Sequence, residues 1–185
     1  MLESQDCKNF SGLKIISRKC HSDSRGEFLK IYNKKDLSNF GWEGDINQIN
    51  QSFTYKRGFV RGMHMQFAKY SEYKLVTCID GAIHDVVIDL RNESETFLDY
   101  FAVELSHENK LSLLIPPGFA HGFQALRDNS KLIYAHSQEY NQDFEGGCSA
   151  KDPDISINWP MPVAGLSSRD QELPLVKDLL IEKRI

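Results

Sequence analysis

Two β-rich runs in this chain meet at one Asp-Gly pair: YKLVTCI, then Asp80-Gly81, then AIHDVVIDL. Valine, isoleucine, threonine and aromatic residues suit extended chain because their side chains pack well on a pleated surface. Asp-Gly between such runs predicts a tight hairpin turn, whose two central residues need positive φ. Other short strand-like runs recur along the chain, parted by turn residues, and helix signals are few before the end. This pattern predicts an all-β sandwich or barrel. After Pro174, LPLVKDLLIEKRI predicts one short C-terminal helix with Lys183 and Arg184 in its last turn.

The 185 residues carry no repeat, low-complexity stretch or linker, so one domain spanning 1–185 is expected. A hydrophobic share of 41% and a charged share of 26% suit a globular protein. The formal net charge of -4 offers no footprint for nucleic acid. No apolar run approaches the roughly 20 residues that span a bilayer. The first residues, MLESQDCKNF, lack the basic and apolar regions of a signal peptide. Cys7, Cys20, Cys78 and Cys148 form no CxxC pair, which argues against a thiolate zinc site and for free thiols in a cytoplasmic protein.

The Asp80-Gly81 turn predicts a register: Ile79 opposite Ala82, Val76 opposite Asp85, Lys74 opposite Val87. Alternation then puts Lys74, Val76 and Cys78 on one face with Ile83, Asp85, Val87 and Asp89. Lys74 is expected diagonal to Asp85 and Asp89. Two readings of this face stand level: inward charges, or a surface charge ladder with Leu75, Val86, Ile88 and Leu90 as the core. A second hairpin, HGFQAL then RDNS then KLIYAH, would set Phe123 opposite Tyr134 and His121 opposite His136, with His121 and Tyr134 sharing a face.

Four proton-handling side chains sit in short patterned stretches: His64 in RGMHMQ, Lys74 in SEYKLVTC, His121 in IPPGFAHGF and Tyr134 in KLIYAH. A base, a cation, a second imidazole and a phenol suffice to remove a proton beside a ketone and return one elsewhere. A lone histidine is more often a satisfied structural residue, and a regular strand would turn Arg61 and His64 to opposite faces. A bulge would be needed to bring both to one site.

Pro116, Gly118 and His121 have the P-x-G-x-x-H spacing of the second half of the cupin signature, and cupins are double-sheet jelly rolls. The H-x-H of the metal-binding half reads His64-Met65-Gln66 here. With one imidazole missing, the expectation is a domain without a metal.

Taken in order, DSRGEF, QINQS, VRGMHMQ, YKLVTC, DVVIDLR, SETF, IPPGFAHGF, IYAHSQEYN, DPDISINWP and LSSRD resemble the dTDP-4-dehydrorhamnose 3,5-epimerases over nearly the whole chain. The resemblance implies a cupin-like jelly roll working as a homodimer on a nucleotide sugar, without metal or cofactor. It implies that His64 is the catalytic base, with Asp170 of LSSRD orienting it and Tyr134 as the acid on the opposite sugar face. Lys74 and His121 would hold the C4 oxygen. Arg25 and Arg61 would contact the diphosphate, Tyr140 would stack on the base, and Gln48 and Asn50 would line the pocket. Phe28 and Arg169 complete the substrate-contacting set. Without the resemblance, Asp170 reads as an exposed loop acid and Tyr140 as an aromatic packed at a loop.

The chain departs from the family's pattern at several points. Lys30 stands where an acid lines the nucleotide side, which leaves thymidine specificity open. The stretch between Asn50 and Arg61 is one residue longer than usual, Asn158 replaces the Asp of D-W-P, and SEY precedes Lys74 where Gln-Ala is common. Alternatives in the same class are an epimerase acting at C3 or C5 alone, or one using another nucleotide sugar. Alternatives of other classes are a metal-dependent cupin enzyme using His64 and His121, or a sugar-nucleotide binding module without catalysis.

Overall fold

A computed structural model describes residues 2–182. In chain order the elements are β1 (Leu2–Asp6), β2 (Lys14–Arg18), β3 (Cys20–Asp23), β4 (Gly26–Leu29), α1 (Lys34–Asn39), β5 (Gln48–Thr54) and β6 (Val60–Gln66). There follow β7 (Lys74–Asp80), β8 (Ala82–Asp89), β9 (Tyr100–Ser106), β10 (Leu111–Ile115), β11 (Phe119–Ala125) and β12 (Ser130–His136). The last are β13 (Glu145–Gly147), α2 (Ser168–Gln171) and α3 (Val176–Ile181). One sheet has the order β1-β2-β10-β7-β12-β5, and a second has β13-β6-β11-β8-β9. The two face each other as a jelly-roll sandwich, and β3-β4 forms a separate small ribbon.

Neither predicted hairpin forms. β7 is hydrogen-bonded by β10 and β12, and β8 by β11 and β9, so neither has a free edge for the other. Of the turn pair only Gly81 takes a positive φ, whereas a type I′ turn needs two. Asp80-Gly81 is therefore a corner where the chain crosses between sheets. Residues 126–129 make the second crossing, from β11 to β12. The corners touch: a Cβ on Gly81 would lie 2.5 Å from Ser130 Oγ.

The predicted faces survive this change of partner. Val76 and Cys78 from one sheet pack with Ile83, Val87 and Phe123 from the other in the sandwich interior. Lys74, Asp85 and Asp89 are all buried, which removes the surface-ladder reading. The outer faces are apolar because each has its own cover. Leu75 and Leu114 pack with Leu2, Leu37 of α1 and Trp42. Val86 and Ile88 pack with Met63, Ile155, and Val176 and Leu179 of α3.

Lys74 does not meet Asp85 or Asp89, because those carboxylates lie across the sandwich and are already engaged. Asp89 accepts from Arg91, Ser94 and Thr96. The C-terminal helix forms as α3, while Lys183 and Arg184 lie outside the described residues. The few short helices expected include two more, whose positions the sequence reading did not place. α1 is capped by Asn33, whose side chain accepts from Asp36 N at 3.0 Å. α2 is capped by Ser167.

The bulge that Arg61 and His64 require is present. β11 pairs His121 with His64 and Phe123 with Arg61, so two residues of β6, Gly62 and Met63, stand opposite one of β11, Gly122. The irregularity centres on Gly62, with φ of +115° and backbone packed hard against β11. A Cβ on Gly62 would lie 2.7 Å from both Gly122 Cα and His121 O. Strained φ and overpacking each cost about 1–3 kcal/mol. Gly62→Ala is expected to lower unfolding free energy in urea by about 2 kcal/mol or more; an unchanged midpoint contradicts this.

Candidate active site

Strand alternation brings the site together from both sheets. On β12, Tyr134 and His136 point inward, and their cross-strand partners do the same: Asn50 and Gln48 on β5, Val76 and Lys74 on β7. On the facing sheet, His121 of β11 lies directly opposite His64 of β6. A cleft of about 580 Å³ opens between these walls, lined by residues that include Gln48, Asn50, Arg61, His64, Lys74, His121, Tyr134, Tyr140, Arg169 and Asp170. That volume is in the range of small-ligand sites.

His64 is the most exposed imidazole of the centre, and its Nε2 lies 2.7 Å from Asp170 Oδ1. The other carboxylate oxygen accepts from Gly62 N at 3.1 Å, so the same bulge that turns Arg61 also anchors Asp170. Asp170 is nearly buried and sits on α2, whose cap Ser167 accepts its backbone N–H at 3.0 Å. Burial opposes the charge on this carboxyl. The hydrogen bond and charge of His64 and the Gly62 N–H outweigh it, holding Asp170 below its usual value. A carboxylate on one ring nitrogen fixes the tautomer and leaves the other nitrogen available as a base.

Tyr134 exchanges a hydrogen bond with Ser52 Oγ at 2.9 Å. Burial pushes its phenol well above the ordinary value, with the Ser52 contact pulling the other way. A neutral phenol at working pH is a proton donor. Its ring meets His121 edge-on at 6.2 Å. The sharing of a face predicted for these two is thus a meeting across the sandwich. His121 Nε2 is 2.7 Å from Asp85 Oδ1, and both side chains are buried. Asp85 Oδ2 has no hydrogen-bond partner among the described residues.

Lys74 Nζ lies 3.2 Å from Glu72 Oε1 and 3.5 Å from the His64 carbonyl oxygen. Arg61 donates to Thr54 Oγ1 at 3.1 Å and to Phe53 O at 3.1 Å. At the outer end, Tyr140 donates to Glu145 Oε2 at 2.7 Å, and Arg169 pairs with the same carboxylate.

Arg25 and Phe28 are not brought to this cleft. They stand on the β3-β4 ribbon, where Arg25 pairs with Asp23 at 2.6 Å and Phe28 is 73% exposed. Lys30 is also outside the wall, 3.7 Å from Asp36. The sequence reading missed Ser52, Glu72, His136 and Glu145, all of which line the cleft. Two-residue spacing from Asn50, Lys74 and Tyr134 was a usable signal for the first three. Among the described residues no three or more His, Cys, Asp or Glu converge as metal ligands. Gln66, at the vacant H-x-H position, instead donates to Glu139 O and Tyr70 O. No described helix is long and apolar enough to cross a membrane.

The fold and the site define a jelly-roll protein with histidine–carboxylate pairs around a cleft between its sheets. The chain belongs to the dTDP-4-dehydrorhamnose 3,5-epimerase family, whose sequence model matches residues 8–178. A relative of that name from Methanothermobacter thermautotrophicus is 36% identical over 176 residues, covering 95% of this chain and 88% of its own. The structure is similar to the Mycobacterium tuberculosis rmlC epimerase, at 33% identity and a TM-score of 0.94, covering 99% of this chain and 92% of that one. It is also similar to Legionella pneumophila RmlC, solved in complex with dTDP-4-keto-L-rhamnose. There the identity is 33%, the TM-score 0.90, and the coverage 96% and 94%.

A carboxyl whose folded value is depressed stabilises the protein above its unfolded value, and the contribution fades as pH falls through the folded one. Asp170→Asn is expected to cost about 1 kcal/mol or more at pH 7. The gap from wild type should shrink below about pH 4. Urea unfolding across pH checks this, and a gap that widens in acid contradicts it.

Proposed function

We propose that this protein epimerises carbons flanking the ketone of a dTDP-linked 4-keto-6-deoxyhexose, converting dTDP-4-dehydro-6-deoxy-D-glucose to dTDP-4-dehydro-L-rhamnose. The observation that carries the reading is geometric: His64, backed by Asp170, and Tyr134 project into one cleft from opposite sheets. A sugar lying between the sheets presents one face to each.

In the reaction, His64 takes the proton from C3 or C5. The electrons of that C–H bond move toward the carbonyl, giving an enolate with charge on the C4 oxygen. Lys74 and His121 meet that charge, and such donors commonly contribute about 3–4 kcal/mol each. Tyr134 then delivers a proton to the opposite face, inverting the centre. The ketone itself acidifies the C–H, so these residues suffice without a cofactor. Arg61 and Arg169 suit the diphosphate, because forked guanidinium donors bind phosphate oxygens well. Tyr140, half exposed at the outer end, is placed to stack on the base, with Gln48 and Asn50 lining the wall.

The same reading treats the chain as one catalytic domain acting in the cytoplasm as a homodimer. Exposed Phe28, together with Arg25 at the ribbon tip, supports a second copy as the partner of that surface. Sedimentation should give a dimer that Phe28→Asp weakens; a monomeric wild type would remove this part.

Proton NMR of the keto-sugar nucleotide in deuterated water tests the chemistry. Wild type should exchange the C3 and C5 protons, and exchange at one carbon only would mark a single-centre epimerase. His64→Ala should lower exchange by roughly 10²–10⁴-fold. Exchange at the wild-type rate in that variant would remove His64 from the mechanism. Chelator-sensitive exchange would favour a metal enzyme, and binding without exchange a non-catalytic module.

A further inference from the structure

We propose that Glu72 and His136 are positioning residues for the reaction, a third imidazole–carboxylate pair that fixes Lys74 relative to Tyr134. The inference rests on the roles given above to Lys74 and Tyr134.

The four residues form one patch. β7 and β12 pair Lys74 directly with His136 and Val76 with Tyr134, so Lys74, Tyr134 and His136 share the inward face. Glu72 precedes Lys74 by two residues, and the chain there stays tied to β12. Tyr73 N donates to Ser137 Oγ at 2.8 Å, and Ser137 N donates to Tyr73 O at 3.1 Å. Glu72 is buried, with one carboxylate oxygen 3.2 Å from Lys74 Nζ and the other 3.0 Å from His136 Nδ1. The His136 ring stacks on Tyr134 at 6.1 Å and 27°. All four side chains line the cleft.

Chemistry decides what such a patch can do. A carboxylate this deep is costly to hold unless each oxygen is engaged. Burial raises the Glu72 carboxyl, but His136 and Lys74 together outweigh it and hold the group below its ordinary value. Glu72 is therefore an anion at neutral pH. The His136 tautomer with hydrogen on Nδ1 satisfies the contact with Glu72. It leaves Nε2, buried and without a hydrogen-bond partner among the described residues, as a bare lone pair rather than an unpaired N–H. With His136 on one carboxylate oxygen, the other oxygen of Glu72 is left to hold Lys74. The ammonium is otherwise a flexible point charge on four methylenes, and an oxyanion contact needs it fixed in advance. The ring of the same histidine bears on the phenol. Cation and acid are thereby located by one carboxylate, although they sit on different strands.

Loss of the pair should act on turnover more than on binding. Glu72→Gln keeps the shape and removes the charge; His136→Phe keeps the stacked ring and removes the Nδ1 donor. With dTDP-4-keto-6-deoxyglucose, Glu72→Gln is expected to lower kcat roughly 10- to 100-fold while KM moves less than about threefold. Affinity for dTDP alone should be unchanged. His136→Phe should lower kcat by a smaller factor, and the double variant should be no slower than Glu72→Gln, because the histidine acts through the carboxylate. Glu72→Asp, which restores the charge, should recover part of the loss. Turnover of Glu72→Gln within twofold of wild type overturns the proposal, as does a loss that appears equally in kcat, KM and thermal stability. If Glu72→Gln does not fold, His136→Gln decides on the same kcat and KM readings. The His64→Ala control separates the two claims. Lost exchange in that control with unchanged turnover in Glu72→Gln sinks only the positioning role, whereas retained exchange sinks the mechanism itself.

Discussion

Three carboxylates are held out of water around one cleft, and each holds an imidazole: Asp170 with His64, Asp85 with His121, and Glu72 with His136. An ionised carboxylate in a protein interior is costly unless partners replace its hydration, and among the described residues Asp85 has that on Oδ1 alone. That requirement fixes the rings. Each histidine is turned to offer one nitrogen to its carboxylate, which determines what the other nitrogen can do. The three pairs nevertheless differ in setting. His64 is partly exposed and can meet a ligand, His121 is buried with its ring edge-on to Tyr134, and His136 is stacked on the same phenol.

The jelly-roll crossings decide which wall each group occupies. Because the chain changes sheets between β6 and β7, at Asp80-Gly81 and again after β11, Lys74 and Tyr134 end on one wall and His64 and His121 on the other. A planar enolate between the walls would have a base on one face and a neutral phenol on the other. In the proposed reaction inversion follows from this placement on opposite walls.

The shared faces were legible in the sequence because alternation is a property of each strand alone. Lys74, Val76 and Cys78 share one face as read, as do Asp85 and Asp89; that this face is the buried one, which the sequence left level with a surface ladder, is shown by the structure. The pairing partners were not legible, because they depend on which edges are free. Those edges are taken by β9, β10, β11 and β12, which no local pattern links to the turn. Asp170 lies 106 residues from His64, so only family resemblance could name it. The need for a bulge between Arg61 and His64 could be stated from parity, and Gly62 was the residue able to supply it. Glu72 and His136 were within reach of the two-residue rule. They went unread because a Glu before a strand and a His at its end look like surface residues until β7 and β12 are paired. Arg25 and Phe28 had motif support only, and the fold leaves them on a ribbon outside their own chain's cleft.

The central claim is that base and acid work from opposite walls. Its most direct test is the configuration of the deuterated product formed by Tyr134→Phe in deuterated water. With the phenol gone and His64 intact, deuterium should enter the sugar with retention, because only the His64 face can return it. Wild type should give deuterium with inversion. Efficient inversion by Tyr134→Phe would contradict the account and require another acid on that wall.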